Sequence, residues 1–127
     1  MNYKKHTNLT LTECTIEDLE KQYPWFLEAE TENAIIRIHN YEFVWKTGVW
    51  IDGIWEGDIW GSGIWKNGVW ENGQWYSGYW QKGTWKGGIW KTGHWENGNW
   101  KGGIWEDGIW IIGKITQNSN KPPINKP

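Results

Sequence analysis

An all-β repeat fold is predicted by three features of the chain. A Trp stands at every fifth position from Trp45 to Trp110, without a slip. A Gly follows three residues after each Trp in every unit but one, where the order reverses to Gly57-Asp58. The residue before each Trp is most often Ile or Val, as in Trp65-Lys66-Asn67-Gly68-Val69. A fixed short period with turn residues at one phase and β-prone residues at another is the mark of a repeat array of short strands.

The strands follow from the turn chemistry. Asp52-Gly53, Asn67-Gly68, Asn72-Gly73, Asn97-Gly98 and Asp107-Gly108 are pairs that tolerate positive φ at both positions, as a type I′ hairpin turn requires. Gly53, Gly68, Gly73, Gly98 and Gly108 are therefore expected to be turn glycines. The predicted architecture is an antiparallel meander of very short hairpins with type I′ turns, coiled or paired so that the Trp face is buried. The alternative is a β-solenoid in which each pentad is one side of a coil, with Gly and Trp each stacked in register between coils. Periodicity is compatible with both.

Fourteen indoles are assigned to the core: Trp45, Trp50, Trp55, Trp60, Trp65, Trp70, Trp75, Trp80, Trp85, Trp90, Trp95, Trp100, Trp105 and Trp110. Burying one indole stabilises by ~5 kcal/mol, taking ~200 Å² at ~25 cal/mol per Å² as an upper figure. So weak a scaffold of two- or three-residue strands cannot leave most of them in water, and only a minority can face a ligand.

Three zones separate by composition. Residues 1–44 carry four basic against eight acidic side chains and are expected to form an N-terminal cap. Thr15 with Asp18 reads as a helix N-cap opening a short helix from Ile16 to about Tyr23, which Pro24 ends or bends. Ala34–Ile38 and Glu42–Trp45 are β-prone runs around His39-Asn40-Tyr41, a hairpin feeding the array. Trp25, outside the five-residue register, is expected to anchor this junction. Residues 45–114 are the array, with seven charges of each sign, and residues 115–127 are expected to be a flexible polar tail.

Composition narrows the function. At 127 residues with net charge −2 and pI near 5.9, the chain is sized for one domain and too balanced for an electrostatic phosphate binder, so no nucleic-acid partner is expected. One cysteine, Cys14, excludes an internal disulfide, and no apolar run reaches signal-peptide or membrane-span length. A cytoplasmic protein is expected, or one in the host cytoplasm if phage-encoded, with no membrane association. His6, His39 and His94 lie in no metal-binding spacing and read as surface residues, and Cys14 reads as a packing residue of the cap. Glu106-Asp107 sits at a turn, and the glycines recur at one turn phase without a Gly-Lys-Ser or Gly-Lys-Thr sequence. No catalytic constellation, metal site or cofactor site is expected.

The stretch Gly63-Ile64-Trp65-Lys66-Asn67-Gly68 resembles the G-x-W-x-x-G core of MORN repeats, β-hairpin units of interaction scaffolds. The chain lacks that family's longer unit with a second glycine-aromatic strand, so membrane association does not carry over. Residues 45–113 resemble more closely the tryptophan-pentad (W-x-x-G-x) repeat proteins of bacteria and phages, a resemblance that implies architecture and no activity. Pentapeptide-repeat proteins share the period but centre on Leu or Phe, and Glu71-Asn72-Gly73-Gln74-Trp75-Tyr76 resembles a piece of choline-binding repeats.

Two functions are expected. The first is a non-enzymatic scaffold that binds a protein partner, such as a host factor, or self-assembles as a homo-oligomer through the cap and the Ile-rich, charge-dotted face. The second is an aromatic ligand module for a glycan, cationic group or nucleotide. Its candidate surface is Gln74, Tyr76, Tyr79, Gln81 and Thr84, which replace the Ile-Trp-Lys norm in mid-array.

Overall fold

A computed structural model of the chain describes residues 1–117 and 121–123; the remainder of the expected polar tail lies outside the described residues. The cap follows its local signals closely. Thr15 Oγ1 accepts from the Asp18 amide at 3.2 Å, and Asp18 Oδ2 accepts from the Thr15 amide at 2.8 Å, a complete capping box opening α1 (Ile16–Gln22). Pro24 does more than stop that helix. Its fixed φ and missing N–H suit a first helical position, and it opens α2 (Pro24–Glu28). Strands β1 (His6–Thr7) and β2 (Thr10–Thr12) pair parallel with β3 (Glu30–His39), which pairs antiparallel with β4 (Glu42–Asp52). Asn40 and Tyr41 link β3 and β4 with φ of 51° and 62°, so both central residues of this two-residue turn have the positive φ of a type I′ hairpin.

The array does not repeat that turn. It is a β-solenoid of about five coils with parallel strands, not an antiparallel meander. A type I′ turn needs positive φ at both central residues, yet in Asp52-Gly53, Asn67-Gly68, Asn72-Gly73, Asn97-Gly98 and Asp107-Gly108 only the glycine has it. One positive-φ residue per pentad turns a corner; it does not reverse the chain. Trp45 pairs with Trp60, Trp50 with Trp65 and Trp55 with Trp70, so three pentads complete one coil.

Three sides result. β4 is long enough to supply the first two sides of the opening coil, through Trp45 and Trp50. The first side continues with β6 (Ile59–Trp60), β9 (Gln74–Trp75), β12 (Ile89–Trp90) and β15 (Ile104–Trp105). The second continues with β7 (Ile64–Trp65), β10 (Tyr79–Trp80), β13 (His94–Trp95) and β16 (Ile109–Trp110). The third is β5 (Ile54–Trp55), β8 (Val69–Trp70), β11 (Thr84–Trp85), β14 (Asn99–Trp100) and β17 (Lys114–Ile115). Each coil hangs on the one before it through repeated bonds: the Val69 amide donates to Gly53 O at 2.9 Å and the Glu71 amide to Trp55 O at 3.0 Å, and this pair recurs along the array.

In-register parallel pairing stacks every indole on the one a coil away. Centroids are 4.6 Å apart for Trp45 and Trp60 and 5.0 Å for Trp50 and Trp65, with ring planes within 4–12° of parallel along the three columns. Consecutive indoles of neighbouring columns meet edge-to-face, at 5.7 Å and 74° for Trp50 and Trp55. Both arrangements suit the indole quadrupole, each worth ~1 kcal/mol beyond burial. The indole N–H reaches one coil onward, as from Trp45 to Ser62 O at 2.9 Å and from Trp70 to Gly87 O at 3.0 Å. At Trp50, Trp55, Trp75, Trp80 and Trp85 this nitrogen is buried without an acceptor among the described residues. Every array indole from Trp45 to Trp100 is fully buried, Trp110 is nearly so, and Trp105 in the last coil is half-buried.

The two ends are finished differently. At the start, β3 covers the outer edge of β4, while α2 sets Phe26 and Trp25 against the first indoles; Trp25 lies 4.7 Å from Phe43, 5.4 Å from Trp55 and 6.5 Å from Trp50. At the far end, Gln117 accepts from Trp100 Nε1 at 2.6 Å and donates to Gly103 O at 2.6 Å, its side chain standing where a next-coil carbonyl stands elsewhere. No helix among the described residues is long and apolar enough to cross a membrane.

Two adjacent glycines separate the roles of this residue type. Gly88 has φ of 101°, and a Cβ there would fall on Gly73 O; at Gly87 the nearest atom to a Cβ would be Glu71 O at an ordinary 3.6 Å. Gly88→Ala is expected to cost ~3 kcal/mol or more, and Gly87→Ala to stay within ~0.5 kcal/mol. Chemical denaturation of the two variants checks this, and equal costs would contradict the corner geometry. Removing residues 1–44 strips β3 and α2 from the first coil and is expected to cause aggregation or longer assemblies. Light scattering of residues 45–127 decides it: a soluble species with the full chain's mass and melting temperature would refute the capping role.

Candidate partner-binding surface

With the indoles turned inward, the residue before each Trp points outward and forms one ladder per side. The first side carries Val44, Ile59, Gln74, Ile89 and Ile104. The second carries Val49, Ile64, Tyr79, His94 and Ile109. The third runs Ile54, Val69, Thr84, Asn99 and Lys114, passing from apolar to polar along the axis. The surface is thus apolar on two sides and graded on the third. Exposure is greatest on the second side, where Tyr79 is 50% and Ile109 56% exposed.

The corner between the first two sides is charged and aromatic. Lys91 Nζ sits 5.5 Å from the Tyr76 ring centroid and 3.9 Å from Glu106 Oε1, so Tyr76, Lys91 and Glu106 form a column one residue per coil. Tyr79, three residues past Tyr76, has its ring 4.8 Å from that of His94. Of the five residues proposed from sequence, Gln74, Tyr76 and Tyr79 lie together across this corner. Gln81 lies beyond the second side and Thr84 on the third, because eleven residues of a coil made of three pentads wind past two corners. Gln74 also lines a depression of about 430 Å³ with Glu42, Glu56, Asp58 and Ile59.

The remaining reactive side chains have structural settings. His6 is buried rather than on the surface: its ring stacks on Phe26 at 4.4 Å and its Nδ1 lies 2.7 Å from Thr31 Oγ1. His39 and Arg37 are ion-paired with Glu13, at 3.4 and 2.6 Å. The Cys14 thiol is pushed up by burial, which keeps it protonated and poorly nucleophilic at neutral pH. Among the described residues no three His, Cys, Asp or Glu side chains are grouped to hold a metal ion.

Burial holds the His6 imidazole below its ordinary value of 6.5, against a smaller opposing effect of the Phe26 and Leu27 backbone. The folded chain therefore resists a proton that the unfolded chain accepts. Stability from a neutral His6 is complete above about pH 6.5 and is lost as pH falls below it toward the folded value. Denaturation between pH 7.5 and about 5 is expected to show a steeper loss for the natural chain than for His6→Gln; parallel profiles would contradict this.

Comparison of the chain with family models, with curated proteins and with solved structures finds no match. Its role has to be read from its own geometry.

Proposed function

We propose that the chain is a non-enzymatic interaction scaffold: a rigid indole-stacked prism that presents its first and second sides, and the corner between them, to a protein partner. The observation that carries this reading is the division of labour within the pentad. The indoles are consumed by the core, and the position before them holds Ile, Val or Tyr on an accessible strand face, where water gives no reason for apolar residues. Charged residues alongside, such as Lys91 and Glu106, supply specificity at the rim. Kinship with tryptophan-pentad repeat proteins belongs to the same proposal, supported by the unbroken W-x-x-G-x array. A second copy is one candidate partner, since an apolar strand ladder can face its own equivalent.

The aromatic-ligand reading has less to draw on. Stacking on the array indoles is sterically closed from Trp45 to Trp100, and the exposed rings Tyr76 and Tyr79 are already in contact with Lys91 and His94.

Replacing Tyr79 and Ile109 together by Glu charges the second side without touching the core. The expected outcome is an unchanged melting temperature with loss of the oligomer seen by light scattering, or of a specific partner captured from the native host. A variant that keeps every association of the natural chain would refute this side as the contact surface.

A further inference from the structure

One place on the molecule combines a cavity, an aromatic ring, unpaired charge and an uncovered strand edge. Where α2 meets the first coil, Trp25, Glu28, Gly53, Ile54 and Glu56 line a depression of about 350 Å³. Trp25 is half-buried, braced by Phe43 and Trp55, and Ile54 is 48% exposed. Glu28 and Glu56 are exposed and have no ion-pair partner among the described residues. Glu28 and Gly53 also line an adjoining depression of about 200 Å³ with Glu30, Asp52 and Lys5. There the single ammonium donates to the Glu28 carbonyl at 3.5 Å, and not to a carboxylate. The pair of depressions is therefore strongly acidic with an apolar floor on one side.

The backbone nearby is also unusual. β3 covers the outer edge of β4 on the first two sides, but β5 on the third side ends its five-stranded sheet with no strand beside it. An extended chain can pair with such an edge. In an extended chain, alternate side chains point the same way at ~6.7 Å spacing, which suits two neighbouring depressions.

We propose that this junction binds an extended, lysine-bearing segment of a protein partner, laid along the outer edge of β5. One lysine places its aliphatic stem against Ile54 and its ammonium by the Trp25 ring between Glu28 and Glu56. The next lysine but one faces Glu30 and Asp52. A ring face and carboxylates together favour an ammonium over a neutral or anionic group, and the stem fills apolar space that a small hydrated cation would leave wet. The strand edge selects a peptide over a free polyamine. This inference rests on the scaffold reading and adds a partner chemistry to it.

The test is calorimetric titration of the full chain with an acetylated, amidated Val-Lys-Val-Lys-Val peptide, its doubly Nε-acetylated form, and spermidine. The lysine peptide is expected to bind, the acetylated form and spermidine at least about tenfold more weakly. Glu28→Gln/Glu56→Gln, which alters only exposed side chains, should weaken the lysine peptide about tenfold with an unchanged melting temperature. Trp25→Phe should weaken it less, keeping a ring of poorer cation affinity. No binding at ~1 mM peptide, equal binding of the acetylated form or spermidine, or an affinity indifferent to the double substitution would each overturn the proposal. Tyr79→Glu/Ile109→Glu separates the two readings. If it abolishes partner association while the natural chain fails to bind the peptide, the scaffold stands and this site falls.

Discussion

The structure depends on a coincidence of two spacings. Adjacent strands in a parallel ladder lie ~4.8 Å apart, and indole rings in offset stacks sit comfortably at nearly the same separation. A coil of three pentads sets each Trp directly over the Trp of the coil before, so one register satisfies the backbone ladder and the ring stack together. A slip of one residue would break both at once and would carry every indole to the outer surface. This double constraint lets strands of two residues, far below an independently stable length, hold a defined shape.

Other features follow from that stack. Three columns of large rings fill the interior only if the corners carry no side chain toward the neighbouring coil, and the positive-φ glycine meets this need: a Cβ at Gly68 would fall on Gly53 O. The lone departure, Gly57-Asp58, occurs in the first coil, where Asp58 Oδ2 accepts from the Phe43 amide at 2.8 Å and ties the corner to the cap. Stacking also leaves raw ends. The cap meets this at the start with a pairing strand and an aromatic helix, and Gln117 does so at the other end with one amide side chain. The sides are left free for association, since their outward residues contribute little to the core.

Local signals were legible in the amino-acid order. The Thr15 capping box, the Asn40-Tyr41 turn, the role of Trp25 at the junction and the burial of the array indoles each depend on a few neighbouring residues. What misled was the pair Asn-Gly. It suits a type I′ hairpin and equally a corner with one positive-φ residue, and nothing within five residues distinguishes reversal from a bend. Likewise the odd residues Gln74 to Thr84 are contiguous in the chain yet dispersed around the axis, while Trp25, Ile54 and Glu56 are distant in the chain yet line one cavity. His6 carries no sign in its own neighbourhood that α2 will bury it.

By itself, then, the sequence determined the repeat, its phase, the inward identity of Trp and the existence of a distinct cap, because periodicity and capping are encoded within single units. The tertiary structure alone decided that three pentads make a coil, that strands run parallel, and which outward residues share a side. Those outcomes turn on contacts between residues a whole coil apart, where ring stacking and the ladder select one register among several that the local pattern permits.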